Sequence, residues 1–110
     1  IALKHTPSPP ALLFFRGQIT DEDWPGLAVV GSRRASQYGK RALEKILPPV
    51  SQAGLTIISG LAYGVDTLAH KIALEHNART IAVLGSGIDQ IYPQQNQNLA
   101  QQIMSQGGMV

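Results

Sequence analysis

Short apolar runs alternate with helical patterns three times along this chain of 110 residues. The runs at 27–30, 55–59 and 80–84 are rich in β-branched residues, which is typical of strands buried on both faces. Apolar residues at helical spacing follow each run, over about 36–47, 66–76 and 96–105. This alternation predicts an α/β fold of Rossmann type. We expect an open, mainly parallel sheet with helices on both faces, truncated at the C-terminus.

The two ends of the sequence differ from this repeating part. Residues 1–26 are predicted to be an irregular lead-in segment with one short strand at 12–17, and residues 27–110 the N-terminal part of the Rossmann-type domain. The chain begins without methionine and stops in an apolar run at 107–110, where we expect a further buried strand to begin. The sequence therefore reads as a fragment of a longer protein.

Two adjacent prolines, Pro48 and Pro49, interrupt the first helical pattern. Each proline lacks an N–H group and its ring crowds the preceding turn. We therefore predict that the first helix ends at Leu47 and that residues 48–54 form an extended exit. The alternative is one more loose turn over 50–52.

Composition excludes several classes of protein. The chain is 44% hydrophobic and 15% charged with a formal net charge of +2, which suits a globular core better than disorder. It has no cysteine, which excludes disulfides and thiolate metal sites, and its three histidines show no ligand spacing, so no metal site is expected. No apolar run approaches about 18 residues and no leader pattern is present, so we expect neither a membrane span nor secretion, and a cytoplasmic location.

The turn after the first strand has the pattern of an anion-binding site. Gly31 and Ser32 end the apolar run, Arg33 and Arg34 follow, and a helix is predicted from Ser36. Backbone N–H groups and a helix N-terminus converge on negative charge at such a turn. A cation beside a helix N-terminus opposes the macrodipole by about 0.3–1 kcal/mol, so an anion bound between them best explains the arginines. The alternative is two solvated loop arginines.

The loops after the second and third strands also contain glycine and serine, like the turn after the first strand. In an open α/β sheet the loops at the carboxyl ends of the strands share one edge, so the three loops are predicted to line one crevice. Tyr38, Tyr63 and Tyr92 lie nearby as possible stacking groups, so the crevice suits a phosphate plus a base. The predicted nucleic-acid-binding residues are Gly31, Ser32, Arg33, Arg34, Ser36, Ser59, Gly60, Gly85, Ser86 and Gly87.

Two enzymatic interpretations find little support. The third loop begins like a dinucleotide-binding fingerprint, but Gln90 stands at the third glycine and no acidic residue follows about 20 positions later, so no cofactor is expected. Asp66 is predicted to be the N-cap of the second helix, with His70 one turn further on the same face. We favour a structural pair over a catalytic pair, because no nucleophile or second carboxylate is evident nearby.

An ordered series of short motifs resembles the DNA processing protein A family, also called Smf. The resemblance covers nearly all of 9–110, and its departures are Val65, where isoleucine is usual, and the Pro48-Pro49 pair. The motifs are Val29-Val30-Gly31-Ser32-Arg33 with Ser36 and Tyr38-Gly39; Ile58-Ser59-Gly60-Leu61-Ala62 with Gly64-Val65-Asp66 and Ala69-His70; and Thr80-Ile81-Ala82-Val83-Leu84-Gly85 with Gly87, Asp89, Tyr92-Pro93 and Asn96.

This resemblance implies an extended Rossmann fold that binds single-stranded DNA without catalysis. It implies protection of incoming strands in natural transformation, loading of the RecA recombinase and a homodimer in the full-length protein. The arginine of the family's Gly-Ser-Arg motif corresponds to Arg33. One alternative is a phosphoribohydrolase of a related Rossmann superfamily, although its Pro-Gly-Gly-x-Gly-Thr run does not occur in this chain. A purely structural domain is the other alternative.

Overall fold

The computed structural model describes residues 7–8, 12, 14–19, 25–85 and 94–110. These residues form five strands, three α-helices and one 3-10 turn. The elements are β1 (Arg16–Gly17), β2 (Gly26–Ala28), α1 (Gln37–Gln52), β3 (Thr56–Ser59), α2 (Val65–Glu75), β4 (Thr80–Ala82), a 3-10 turn (Gln94–Asn96), α3 (Gln97–Gln106) and β5 (Gly108–Met109).

The strands form one sheet in the order β1-β5-β4-β3-β2. All neighbouring strands are parallel except β1, which runs antiparallel to β5. Backbone hydrogen bonds continue past the strand ends, from Val29 N–H to Ile58 O at 2.8 Å and from Val83 N–H to Ser59 O at 2.8 Å. The prediction of an open, mainly parallel α/β sheet is confirmed.

All three helices lie on the same face of the sheet. The chain advances from β2 to β5 in one direction, and right-handed crossovers then place every connecting helix on one side. In the strand register, alternate residues point to this side and form two apolar clusters beneath the helices. Helices on the second face, which the sequence analysis also expected, require the winding to reverse. The described residues contain no such reversal.

Helix α1 continues through both prolines to Gln52, so the prediction of a helix end at Leu47 with an extended exit over 48–54 is wrong. The fixed φ of proline is compatible with a helix, and the missing N–H groups deprive only the carbonyls of Glu44 and Lys45, two exposed residues that water can reach. Gly54, with φ +88°, ends the helix.

The end of α1 is a Schellman motif. Gly54 N–H donates to Ser51 O at 3.1 Å and Leu55 N–H donates to Val50 O at 3.4 Å. The last carbonyls of the helix are therefore satisfied by the chain that leads into β3. The position of Gly54, and not that of the prolines, determines the helix length.

The first strand is shorter than predicted. Strand β1 comprises only Arg16–Gly17, and the preceding Leu12, Phe14 and Phe15 are exposed. The partner strand β5 is itself only two residues long, so it provides no ladder for a longer strand. Much of the predicted lead-in segment lies outside the described residues.

Replacing Pro49 tests how α1 tolerates its prolines. Pro49→Ala restores an N–H to the helix interior at an exposed position, so we expect the free energy of unfolding to rise by roughly 1–3 kcal/mol. Urea denaturation of both proteins measures this difference. A fall in stability would instead mean that the proline ring contributes packing or restrains the unfolded chain more than it costs the helix.

Candidate functional site

The first loop presents two arginines at the start of α1. Ser36 is the N-cap of α1, and its Oγ accepts a hydrogen bond from Gly39 N–H at 2.9 Å. Ser32 Oγ accepts from Arg34 N–H at 3.0 Å, which tightens the turn before the helix. Both arginines are exposed, and within the described residues neither pairs with a carboxylate. The first turn of α1 has no acidic residue, so the positive charge here is not neutralised locally.

A backbone contact joins the first loop to the second. Val65 N–H donates to Ser32 O at 3.1 Å, and a Cβ at position 64 would collide with the carbonyl oxygens of Ser32 and Arg33. Gly64 also has φ +77°, a conformation that side chains disfavour. We call this contact between Ser32-Arg33 and Gly64-Val65 the Gly64 seam. The seam holds the arginine turn against the N-terminus of α2.

The polar groups of Ser59 and Gly60 bond within the protein. Ser59 is buried, and its Oγ donates to Val29 O at 2.6 Å, which ties the end of β3 to the end of β2. Gly60 N–H donates to Asp66 Oδ2 at 3.1 Å. Both residues therefore support the loop from inside. Asp66 is not the predicted N-cap, because α2 begins one residue earlier with Gly64 as its N-cap, and the carboxylate reaches back to the loop instead.

The third loop is described only in part. Gly85 is exposed, and no heavy atom of the described residues lies within 4 Å of a Cβ built on it. The predicted residues Ser86 and Gly87, and Tyr92 beside them, lie outside the described residues. What the structure does show is where this loop ends, at Gln94–Asn96.

Asn96 anchors the end of the third loop to the second. Its buried Nδ2 donates to Leu61 O at 3.0 Å and to Thr67 Oγ1 at 2.9 Å. Nearby, Tyr63 O–H donates to Gln95 Oε1 at 2.7 Å. In the sequence, Asn96 is a polar residue at the start of a predicted helix and one residue of the family motifs, and neither feature identifies a partner 35 positions away.

Asp66 and His70 each hold part of the fold together, but through different partners, Gly60 N–H and Thr80 Oγ1. Thr80 Oγ1 donates to Ile57 O at 2.7 Å, so it accepts from His70 Nδ1–H at 2.7 Å, and the proton of the neutral ring lies on Nδ1. The buried Nε2 has no hydrogen-bond partner in the described part of the chain. Desolvation by burial lowers the pKa of His70 from 6.5 to about 4, against the charge of Asp66, which raises it. The ring therefore stays neutral at physiological pH.

Two glycines test the Gly64 seam. Gly64→Ala forces a side chain into an unfavourable backbone conformation and against two carbonyl oxygens. We expect it to lower the free energy of unfolding by about 1–3 kcal/mol. Gly85→Ala is the matched control, because its Cβ meets no atom of the described residues. Thermal or urea denaturation compares the two. Equal stability of both variants would show that the seam is not formed.

The neutral His70 gives the stability a defined pH dependence. Its folded pKa lies below its unfolded value, so its contribution is fully present above about pH 6.5 and is lost as pH falls towards about 4. We expect unfolding to cost roughly 2 kcal/mol less at pH 5 than at pH 7. In His70→Gln, which cannot titrate, this part of the pH dependence disappears. Identical pH profiles for the two proteins would contradict the assignment.

Among the described residues, no helix has the length and apolar character needed to cross a membrane. These residues also contain no group of three or more His, Cys, Asp or Glu side chains placed to hold a metal ion.

The chain is similar to known proteins over its whole length. A family model described as DNA recombination-mediator protein A matches residues 1–110. Protein Smf of Synechocystis sp. is 44% identical over 105 residues, which is 92% of this chain and 26% of that protein. DNA processing protein DprA of Streptococcus pneumoniae is 44% identical over 90 residues, covering 82% of this chain and 32% of the relative. The chain thus spans about a third or less of these relatives.

Solved structures show the same fold. The X-ray structure of Streptococcus pneumoniae DprA aligns with a TM-score of 0.89 and 39% identity over 97% of this chain and 38% of that one. A Helicobacter pylori structure, described as giving insights into the single-stranded DNA binding mode of DNA processing protein A, aligns with a TM-score of 0.82 and 31% identity over 94% of this chain and 47% of that one. The resemblance found in the sequence is confirmed: this chain belongs to the DNA recombination-mediator protein A family.

Proposed function

We propose that the protein containing this chain binds single-stranded DNA through the crevice at the carboxyl ends of its strands. The observation that carries the proposal is the exposed Arg33-Arg34 turn at the N-terminus of α1, held in place by the Gly64 seam. The Helicobacter pylori relative, whose structure is described by its single-stranded DNA binding mode, supports the same ligand.

The geometry of the turn suits a phosphate group. The first N–H groups of a helix have no intrahelical partner, and the aligned peptide dipoles add positive potential at that point. Ser32 and Ser36 use their oxygens as acceptors, which leaves their O–H groups to donate to a phosphate oxygen. Arg33 and Arg34 add charge-assisted donors. None of these groups reads a base edge, so the proposed binding has little sequence preference.

The proposed DNA-binding residues contribute in two ways. Direct contact is proposed for Gly31, Ser32, Arg33, Arg34 and Ser36, which form the exposed turn, and for Gly85, Ser86 and Gly87 of the third loop. An indirect contribution is proposed for Ser59 and Gly60, since their polar groups bond to Val29 and Asp66 and set the position of the second loop.

The biological role follows from the family. We propose a role in DNA processing during recombination and natural transformation, with protection of incoming single strands and loading of RecA by a homodimeric, cytoplasmic full-length protein. Family membership favours this binding role over a phosphoribohydrolase, and no cofactor or catalytic step forms part of the proposal.

Substituting the two arginines separately tests the proposal. Arg33→Ala is expected to weaken binding of oligo-dT to the full-length protein by about 1.5–3 kcal/mol, because a charge-assisted phosphate contact is lost, and Arg34→Ala is expected to weaken it less. Fluorescence anisotropy over a salt series measures both effects. For the wild type, the slope of the logarithm of the binding constant against the logarithm of the salt concentration is expected to be about −0.7 per phosphate neutralised.

Thermal melting provides the control for folding. Both arginines are exposed, so the melting temperature is expected to stay constant or to rise slightly when a cation beside a helix N-terminus is removed. The proposed function would be contradicted if the DNA affinity of the wild type did not depend on salt concentration, or if it were higher for duplex than for single-stranded DNA. Early melting of Arg33→Ala with normal DNA affinity would make the arginine structural.

A further inference from the structure

Helix α1 carries a row of exposed residues that continues beyond the arginine turn at its N-terminus. Tyr38, Arg41 and Lys45 are spaced by three and four positions, so they lie above one another on one side of the helix. We call this row the α1 stripe. Tyr38 is 78% exposed, and Arg41 and Lys45 are exposed as well. Leu47, a buried residue of α1, lies about half a turn round the helix from Tyr38, so the stripe faces away from the core.

The two cations of the stripe form no ion pair within the described residues. Within the described residues neither Arg41 nor Lys45 pairs with a carboxylate, and Arg41 Nε donates only to Gln37 O at 3.4 Å. Glu44, the one acidic residue of α1, lies four positions after Lys40 and three after Arg41, but within the described residues it forms no ion pair with either. The stripe therefore combines two cations with an exposed aromatic ring.

We propose that the α1 stripe is a second contact surface for single-stranded DNA, continuing from the arginine turn along the outside of α1. The inference rests on the proposed function, since the stripe begins at Tyr38, two positions after Ser36, which is one of the proposed phosphate-binding residues. From Tyr38 to Lys45 the stripe is about 10 Å long, which spans about three nucleotides of a stacked strand. Arg41 and Lys45 neutralise phosphates, and one base stacks on Tyr38.

The residue types favour a single strand over other polyanions. An aromatic face stacks on any base, but only when that base is unpaired and accessible. Two cations without a base-reading side chain bind the sugar-phosphate backbone regardless of sequence. The stripe therefore adds affinity and selectivity for single strands, while the turn fixes a phosphate at one end of the track.

The helix itself provides a matched control. Lys40→Ala removes one positive charge from α1 outside the stripe, whereas Arg41→Ala and Lys45→Ala each remove one within it. In the full-length protein, binding of dT oligonucleotides is measured by fluorescence anisotropy over a salt series. We expect each stripe variant to reduce the log-log salt slope by about 0.7, the value for one phosphate, and Lys40→Ala to leave it unchanged.

Tyr38 is tested by a different readout. Tyr38→Ala is expected to weaken binding about tenfold with an unchanged salt slope, and Tyr38→Phe, which keeps the ring, to bind like wild type. Oligonucleotides with abasic positions are expected to bind the wild type more weakly than intact oligonucleotides do. For Tyr38→Ala, the abasic and intact oligonucleotides are expected to bind equally well. Melting temperatures confirm that all variants remain folded.

The outcomes separate the stripe from the crevice. If the wild type binds with salt dependence and Arg33→Ala loses affinity, but the stripe variants behave like Lys40→Ala, the stripe is not a DNA surface and the proposed function stands. Equal losses for Tyr38→Ala and Tyr38→Phe would also exclude stacking. If the wild-type protein does not bind the oligonucleotides, the proposed function fails and the stripe with it.

Discussion

The placement of the first two loops relative to each other depends on one backbone contact, the packing of Gly64 against the carbonyls of Ser32 and Arg33. Because position 64 has no side chain, the second loop approaches the first closely enough for Val65 N–H to reach Ser32 O. Beneath this contact, the hydroxyl of Ser59 ties the same two strand ends together. Uncharged backbone groups thus fix the turn that carries the two exposed arginines. The position of this turn does not depend on a salt bridge, which added salt would weaken.

The strand and helix order could be predicted from the sequence because burial on a parallel sheet demands β-branched apolar runs, and each run is followed by a helical pattern. The length of α1 could not be predicted in the same way. The loss of helix stability caused by Pro48 and Pro49 depends on whether water can reach the carbonyls of Glu44 and Lys45. That exposure is decided by how the helix packs in the folded protein, so the local sequence does not reveal it. Gly54 was the better local signal, since its positive φ ends the helix.

The same distinction applies to the site. The Gly31–Arg34 turn could be predicted because its residue types, and the helix that follows, lie next to each other in sequence. Ser59 looked equally suited to a ligand, but whether its hydroxyl is available depends on Val29, a residue of another strand. Asn96 bonds to a loop 35 positions earlier, so only the folded chain reveals its role. Neighbouring residue types indicate which groups could donate to a ligand, and tertiary contacts decide which of those groups are already bonded within the protein.

The hydrogen-bonded chain from His70 through Thr80 to Ile57 has a consequence for how α2 is positioned. Apolar side chains hold a helix on a sheet without direction, and such an interface permits the helix to slide or rotate. A bond from α2 to β4, passed on to the carbonyl of β3, has only one satisfactory geometry. It sets the axial register of α2 from the middle of the helix. The register in turn determines the position of the N-terminus of α2. The buried hydrogen bonds of His70 and Thr80 therefore help to position a surface loop with which they make no contact.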